Sequence, residues 1–117
     1  MAGSPFIDSV FRTVSSELSR GPGVVEIARA LNLSARTFQR RLSQMGLTYS
    51  RLLDELRFDE ARQMLSDPNL PIGQIAATLG YTDAGSFTRA FQRWASISPR
   101  SYRRRCLART DEPPTDH

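Results

Sequence analysis

The chain has 117 residues, 39% of them apolar, which suits one compact domain or two very small lobes and excludes a disordered polymer. No apolar run approaches the ~20 residues of a membrane span, and a single cysteine, Cys106, excludes an internal disulfide and fits a reducing cytoplasm. The net charge is +4, and all 16 basic residues are Arg, a planar donor matched to phosphate and to guanine.

Taken in chain order, the sequence predicts seven helices and no strand. Residues 1–5 read as an N-terminal remnant without the features of a signal peptide. A first helix starts after Ser4-Pro5, with Ile7, Val10, Phe11, Val14 and Leu18 at helical spacing, and Gly21-Pro22-Gly23 breaks it. A second covers about Val24 to Leu31. Asn32-Leu33 turns the chain, and Ser34 is a good N-cap for a third helix that stops at Gly46. Thr48 caps a long fourth helix carrying Leu52, Leu53, Leu56, Ala61 and Leu65. Phe58 lies off that stripe, as expected of a helix that buries apolar residues on two faces.

Asp67-Pro68-Asn69-Leu70-Pro71 ends the fourth helix, and a fifth spans about Ile72 to Leu79. Gly80-Tyr81 turns, Thr82 or Asp83 caps, and a sixth helix runs to about Trp94, a residue expected to pack between the last two helices. Ser98 and Pro99 open a short seventh helix, Arg100 to about Arg105. The expected organisation is a first subdomain over 6–47, a linker helix over 48–66, a second subdomain over 67–105 and a disordered acidic tail over 106–117.

Two stretches repeat. IARALNLSARTFQRRL (27–42) matches IAATLGYTDAGSFTRAF (75–91) at Ile27/Ile75, Ala28/Ala76, Leu31/Leu79, Phe38/Phe87 and Arg40/Arg89, with one residue inserted in the second copy. Each copy predicts a helix-turn-helix: small Ala28 and Ala76 let the two helices approach, and Phe38 and Phe87 point inward from the second helix of each pair. Charge follows the repeat. Residues 24–51 sum to +4 and 71–105 to +5, whereas 52–70 between them sum to −3. Two basic patches separated by an acidic spacer suit two phosphate-binding surfaces on double-stranded DNA.

With Phe38 inward, Arg36, Thr37, Gln39 and Arg40 distribute around the exposed arc, where Gln suits adenine and Arg suits guanine. In the second copy the equivalent stretch offers Ala84, Gly85, Ser86 and Arg89; only Arg89 has long reach. These give candidate base contacts at Arg36, Thr37, Gln39, Arg40, Ala84, Ser86 and Arg89. Candidate phosphate contacts are Ser34, Arg41, Thr82, Thr88, Arg93 and Arg103. No catalytic residue, metal site or cofactor is assigned.

The stretch GYTDAGSFTRAFQRWASISPRSYRR (80–104) resembles the C-terminal signature of the AraC/XylS family of bacterial transcription regulators, through Gly80-Tyr81, Thr82-Asp83, Phe87, Arg89, Phe91, Ser98-Pro99 and Tyr102-Arg103. Leu56-Arg57 with Ala61 and Leu65, and Ser34 with Phe38 and Arg40, are similar to the family too. The resemblance covers about residues 6–105. It implies an all-α fold of seven helices in two helix-turn-helix subdomains joined by a long helix, sequence-specific promoter binding, usually activation through RNA polymerase, and a bacterial cytoplasmic, nucleoid-associated location. The chain then reads as an excised C-terminal domain, with a small stand-alone regulator as the alternative, and a small-molecule effector enters only through a sensor domain outside it. Two positions depart from the family: Gly85 stands where Ser is usual, and Ser96 where Gly is usual.

Competing readings are specific. Arg40 and Arg89 could form ion pairs inside their own units. Asp54, Glu55, Asp59 and Glu60 read as solvent charges pairing with Arg51, Arg57 and Arg62 rather than as catalytic carboxylates. A protein-interaction module that meets polymerase without reading DNA is an alternative, against which the charge segregation argues. A Cys106-dependent DNA-repair enzyme fragment is a remote one, because nothing supplies a base or an orienting group.

Overall fold

The computed structural model describes residues 5–111, with side chains through residue 108. Seven α-helices and one 3-10 turn account for the regular structure, and the described residues contain no strand. The chain divides into two units, residues 1–57 and 58–117, with the division falling inside one helix.

In the first unit, α1 (Pro5–Glu17) starts on a proline whose missing N–H is no loss in a first turn. It therefore takes in the last residue of the expected remnant. Val10 and Val14 are fully buried and Leu18 nearly so, each burial worth about 1.5–3 kcal/mol. A 3-10 turn (Leu18–Arg20) and left-handed Gly21 at φ 63° end the run. Then come α2 (Val24–Ala30), α3 (Ala35–Gln44) and the first half of α4 (Tyr49–Leu65). Phe38 of α3 lies edge-on to Phe6 of α1 at 6.3 Å and to Tyr49 of α4 at 5.9 Å. The Tyr49 hydroxyl donates to the Pro22 carbonyl at 2.7 Å and fixes the start of α4 to the loop before α2. Burial pushes its phenol up to about 12.

The second unit holds the rest of α4, then α5 (Ile72–Thr78), α6 (Ala84–Ala95) and α7 (Pro99–Asp111). Its core is an aromatic chain. Tyr81, Phe87, Phe91 and Tyr102 follow one another at centroid distances of 5.8, 5.9 and 5.5 Å. Phe58, off the main stripe of α4, meets Phe91 at 5.5 Å and Trp94 at 5.7 Å. Trp94, expected between the last two helices, is thus met by α4. Ion pairs Arg51–Glu55 and Arg62–Asp59 line the surface of α4, as the solvent-charge reading of its acids requires.

Two expectations need correction here. The last helix does not end near Arg105: α7 runs to Asp111, because Cys106, Leu107 and Ala108 continue it without a breaker. The expected tail is helical over its first six residues, and the rest of it lies outside the described residues. Arg103, assigned to phosphate, turns inward. Its Nε donates to the Leu65 carbonyl at 3.0 Å and Nη2 to the Leu70 carbonyl at 2.6 Å. The C-terminal carbonyls of a helix lack partners, and a cation there is favoured by the helix dipole, so this guanidinium closes the end of α4.

Candidate nucleic-acid interface

Each unit builds its site from the same parts. α2 ends with the Leu33 N–H on the Ala28 carbonyl at 2.8 Å and the Asn32 N–H on the Arg29 carbonyl at 2.9 Å, Asn32 lying left-handed at φ 62°. α5 ends with the Tyr81 N–H on the Ala76 carbonyl at 2.9 Å and the Gly80 N–H on the Ala77 carbonyl at 3.1 Å, Gly80 at φ 93°. Both are Schellman endings, which reverse the chain in the space of two residues. Ile27, Ala28, Ile75, Ala76 and Leu79 are buried where the two helices of each pair cross.

The next helix is then capped. Ser34 Oγ accepts from the Thr37 N–H at 3.1 Å, and Asp83 Oδ1 from the Ser86 N–H at 2.7 Å. Asp83, not Thr82, is the N-cap of α6, so the inserted residue falls between Gly80 and the cap. With the caps aligned, Arg36 corresponds to Gly85, Thr37 to Ser86, Gln39 to Thr88 and Arg40 to Arg89. The Asp83 carboxyl is held below the usual carboxylate range, first by the Ser86 N–H and hydroxyl, then by the positive charge of Arg89.

On α3, Phe38 and Leu42 are fully buried, while Arg36, Gln39 and Arg40 are exposed at i, i+3 and i+4 spacing on the opposite face. The ion pairs among the described residues do not include Arg40 or Arg89. Thr37 is half-buried, and its Oγ1 accepts from Ser34 Oγ at 3.0 Å, so capping engages both hydroxyls. The Arg41 guanidinium lies over the Phe6 ring, 5.1 Å from its centroid, on a different side of α3 from Arg36 and Arg40.

On α6, Phe87, Ala90 and Phe91 face inward and Gly85, Arg89, Gln92 and Arg93 outward. Arg89 Nη2 lies 3.4 Å from Ser86 Oγ. Ala84 and Thr88 are half-buried on another side, where with Ile72, Gly73, Gly85, Ser98, Pro99 and Arg100 they line a concavity of about 440 Å³. Thr82 Oγ1 donates to Asp83 Oδ2 at 3.5 Å. The structure therefore brings exposed Arg36, Gln39 and Arg40 together on one face of α3 and exposed Arg89 and Arg93 together on one face of α6, and leaves Thr37, Ala84, Ser86 and Thr88 half-buried. Sequence reasoning missed Arg100, which stands on the rim of the concavity; a lone Arg after Pro99 gave no signal of a neighbour in α5 or α6.

A family model described as a helix-turn-helix domain matches residues 27–105, spanning both units. The chain belongs to the AraC-type helix-turn-helix family of DNA-binding transcription regulators. The ornithine utilization regulator of Pseudomonas aeruginosa is 40% identical over 82 residues, which are 70% of this chain and 24% of that protein. The transcriptional activator AggR of Escherichia coli is 30% identical over 101 residues, 86% of this chain and 38% of that protein. The AraC-type chain thus spans about a quarter to two fifths of these relatives' length. The crystal structure of the DNA-binding domain of AdpA, a global transcriptional factor, in complex with a target DNA superposes with a TM-score of 0.77. It covers 95% of this chain and 100% of that one at 24% identity, a likeness of fold. No described helix is long and apolar enough to cross a membrane.

Proposed function

We propose that this AraC-type chain binds an asymmetric promoter site in double-stranded DNA through α3 and α6, each entering a major groove, with Arg36, Gln39, Arg40 and Arg89 reading base edges. The observation that carries this reading is the exposed cluster Arg36, Gln39, Arg40 on a helix whose Phe38 and Leu42 are fully buried. Long, polar, exposed side chains at i, i+3 and i+4 on a rigidly seated helix are what base readout requires. Ser86 adds a short polar group at the start of α6. Thr37, Ala84 and Thr88, set back from those faces, contribute shape and methyl contacts.

Phosphate binding falls to Arg41, Arg93, the α3 cap Ser34 and Thr82 next to the α6 cap, with Thr88 and Arg100 at the concavity beside α6. Arg103 leaves this set because its guanidinium closes α4. Activation by recruiting RNA polymerase in the bacterial cytoplasm, at the nucleoid, is part of the same proposal; the activator name of AggR and the family membership support it. Binding Arg40→Ala to a selected site and to random duplex tests the base-reading role. A loss of about 1–3 kcal/mol on the selected site alone is expected. An equal loss on both would make Arg40 a phosphate contact.

A further inference from the structure

The second reading helix carries a glycine at the place where the first carries Arg36. An ideal Cβ on Gly85 would stand 3.3 Å from Asp83 Oδ1 and 3.4 Å from Arg89 Nη1. The Arg89 guanidinium therefore lies back along α6, over the backbone of residue 85, with Nη2 beside Ser86 Oγ at 3.4 Å. Helical side chains lean toward the helix N-terminus, so an Arg four residues on covers that spot by default. In α3 the equivalent spot is taken by Arg36, and two guanidinium groups one turn apart repel each other. In α6 there is no such competitor, and the Asp83 carboxylate at the cap attracts the charge.

We propose that Gly85 is a specificity-determining residue: its bare backbone lets Arg89 occupy the first turn of α6, which fixes the base that Arg89 reads. α3 spreads its readout over Arg36 and Arg40, whereas α6 concentrates it in one guanidinium held at the helix start. An arm already seated loses less freedom on binding than one that must be ordered. Its planar donors match the O6 and N7 edge of a guanine. A Cβ at 85 would come into contact with the guanidinium, and a longer or polar side chain there competes for its place beside Asp83 and moves or blurs the preference. This rests on the reading that α6 enters a groove, and the test separates the two.

Bound sequences are selected from random duplexes with the unaltered chain and with Arg89→Ala, Arg40→Ala, Gly85→Ser and Gly85→Ala, and melting temperatures are recorded for each. Gly85 sits on an exposed helix face, so Gly85→Ala raises helix propensity and folds. Arg89→Ala should erase a guanine preference at one position. Gly85→Ser should change the preference at that same position, on the order of tenfold, while positions lost in Arg40→Ala stay as they were. Gly85→Ala should act in the same place and less. If Gly85→Ser leaves the Arg89-dependent position unchanged, or if both Gly85 variants weaken all sequences equally, the inference is overturned while the reading of α6 stands. If no base preference depends on Arg89, the reading of α6 falls and the inference falls with it.

Discussion

Asn32 and Gly80 hold the same left-handed place, one residue beyond the C-cap of α2 and of α5, at φ 62° and φ 93°. Only Gly, and to a lesser degree Asn, takes that conformation without a steric penalty. Asn32→Ala should therefore destabilise the chain by about 1–2 kcal/mol, and Asn32→Gly should be neutral or slightly stabilising. Denaturant midpoints of the two variants check this; equal effects would show that the turn does not depend on its backbone conformation.

Among the described residues Ser96 is the other non-glycine residue at positive φ, 66°, where its N–H bonds the Gln92 carbonyl at 2.9 Å. It ends α6 in place of the glycine usual in the family. Ser96→Gly should raise stability by roughly 1 kcal/mol through relief of that strain, measurable as a higher melting temperature with unchanged DNA affinity.

Arg103 distinguishes a structural arginine from a phosphate-binding one. Arg103→Ala removes two charge-assisted bonds, one to the Leu65 carbonyl at the end of α4 and one to the Leu70 carbonyl in the connection before α5, so a loss of about 1–3 kcal/mol in stability is expected. The dependence of DNA affinity on salt should stay the same, whereas Arg93→Ala should flatten the log–log slope by about one unit. A flattened slope in Arg103→Ala with unchanged stability would return Arg103 to the phosphate set.

Asp83 gives a pH signature. Its carboxyl is depressed in the folded chain, so its charged cap stabilises above the unfolded value of about 3.9 and loses that contribution as pH falls through the folded value. Asp83→Asn keeps a capping oxygen without the charge. The melting temperature of the unaltered chain should exceed that of Asp83→Asn near neutrality, and the gap should close in acid. A gap independent of pH would mean that the charge plays no part at the cap.

The fold and the buried and exposed faces of α3 and α6 were legible because they are local. Ser34, Thr48 and Ser98 announce helix starts by capping chemistry, Gly46 announces a stop, and Phe38 with Leu42 or Phe87 with Phe91 shows the buried stripe at one-turn spacing. What escaped depends on residues far apart in the chain. The Arg103 clamp joins positions 38 and 33 residues distant. Arg41 lies over Phe6 from another helix. Nothing local in Arg103-Arg104-Arg105 says which guanidinium turns inward. The continuation of α7 was hidden because an arginine run before an acidic stretch reads as a fraying end, although no Gly or Pro interrupts it before Asp111.

One chain carries both helix-turn-helix units, joined through one uninterrupted helix, α4, of 17 residues. A helix of that length spans ~25 Å, heads that read one face of a duplex sit about 34 Å apart, and the proposed binding by a single chain predicts a strict spacing between half-sites. Footprinting on a series of sites with base pairs inserted between the two half-sites tests this directly. About half a helical turn of insertion should abolish protection of the half-site under α6, and a full turn should not restore it. Undiminished protection of both half-sites at every insertion would contradict the account: either the linker is flexible or two molecules bind.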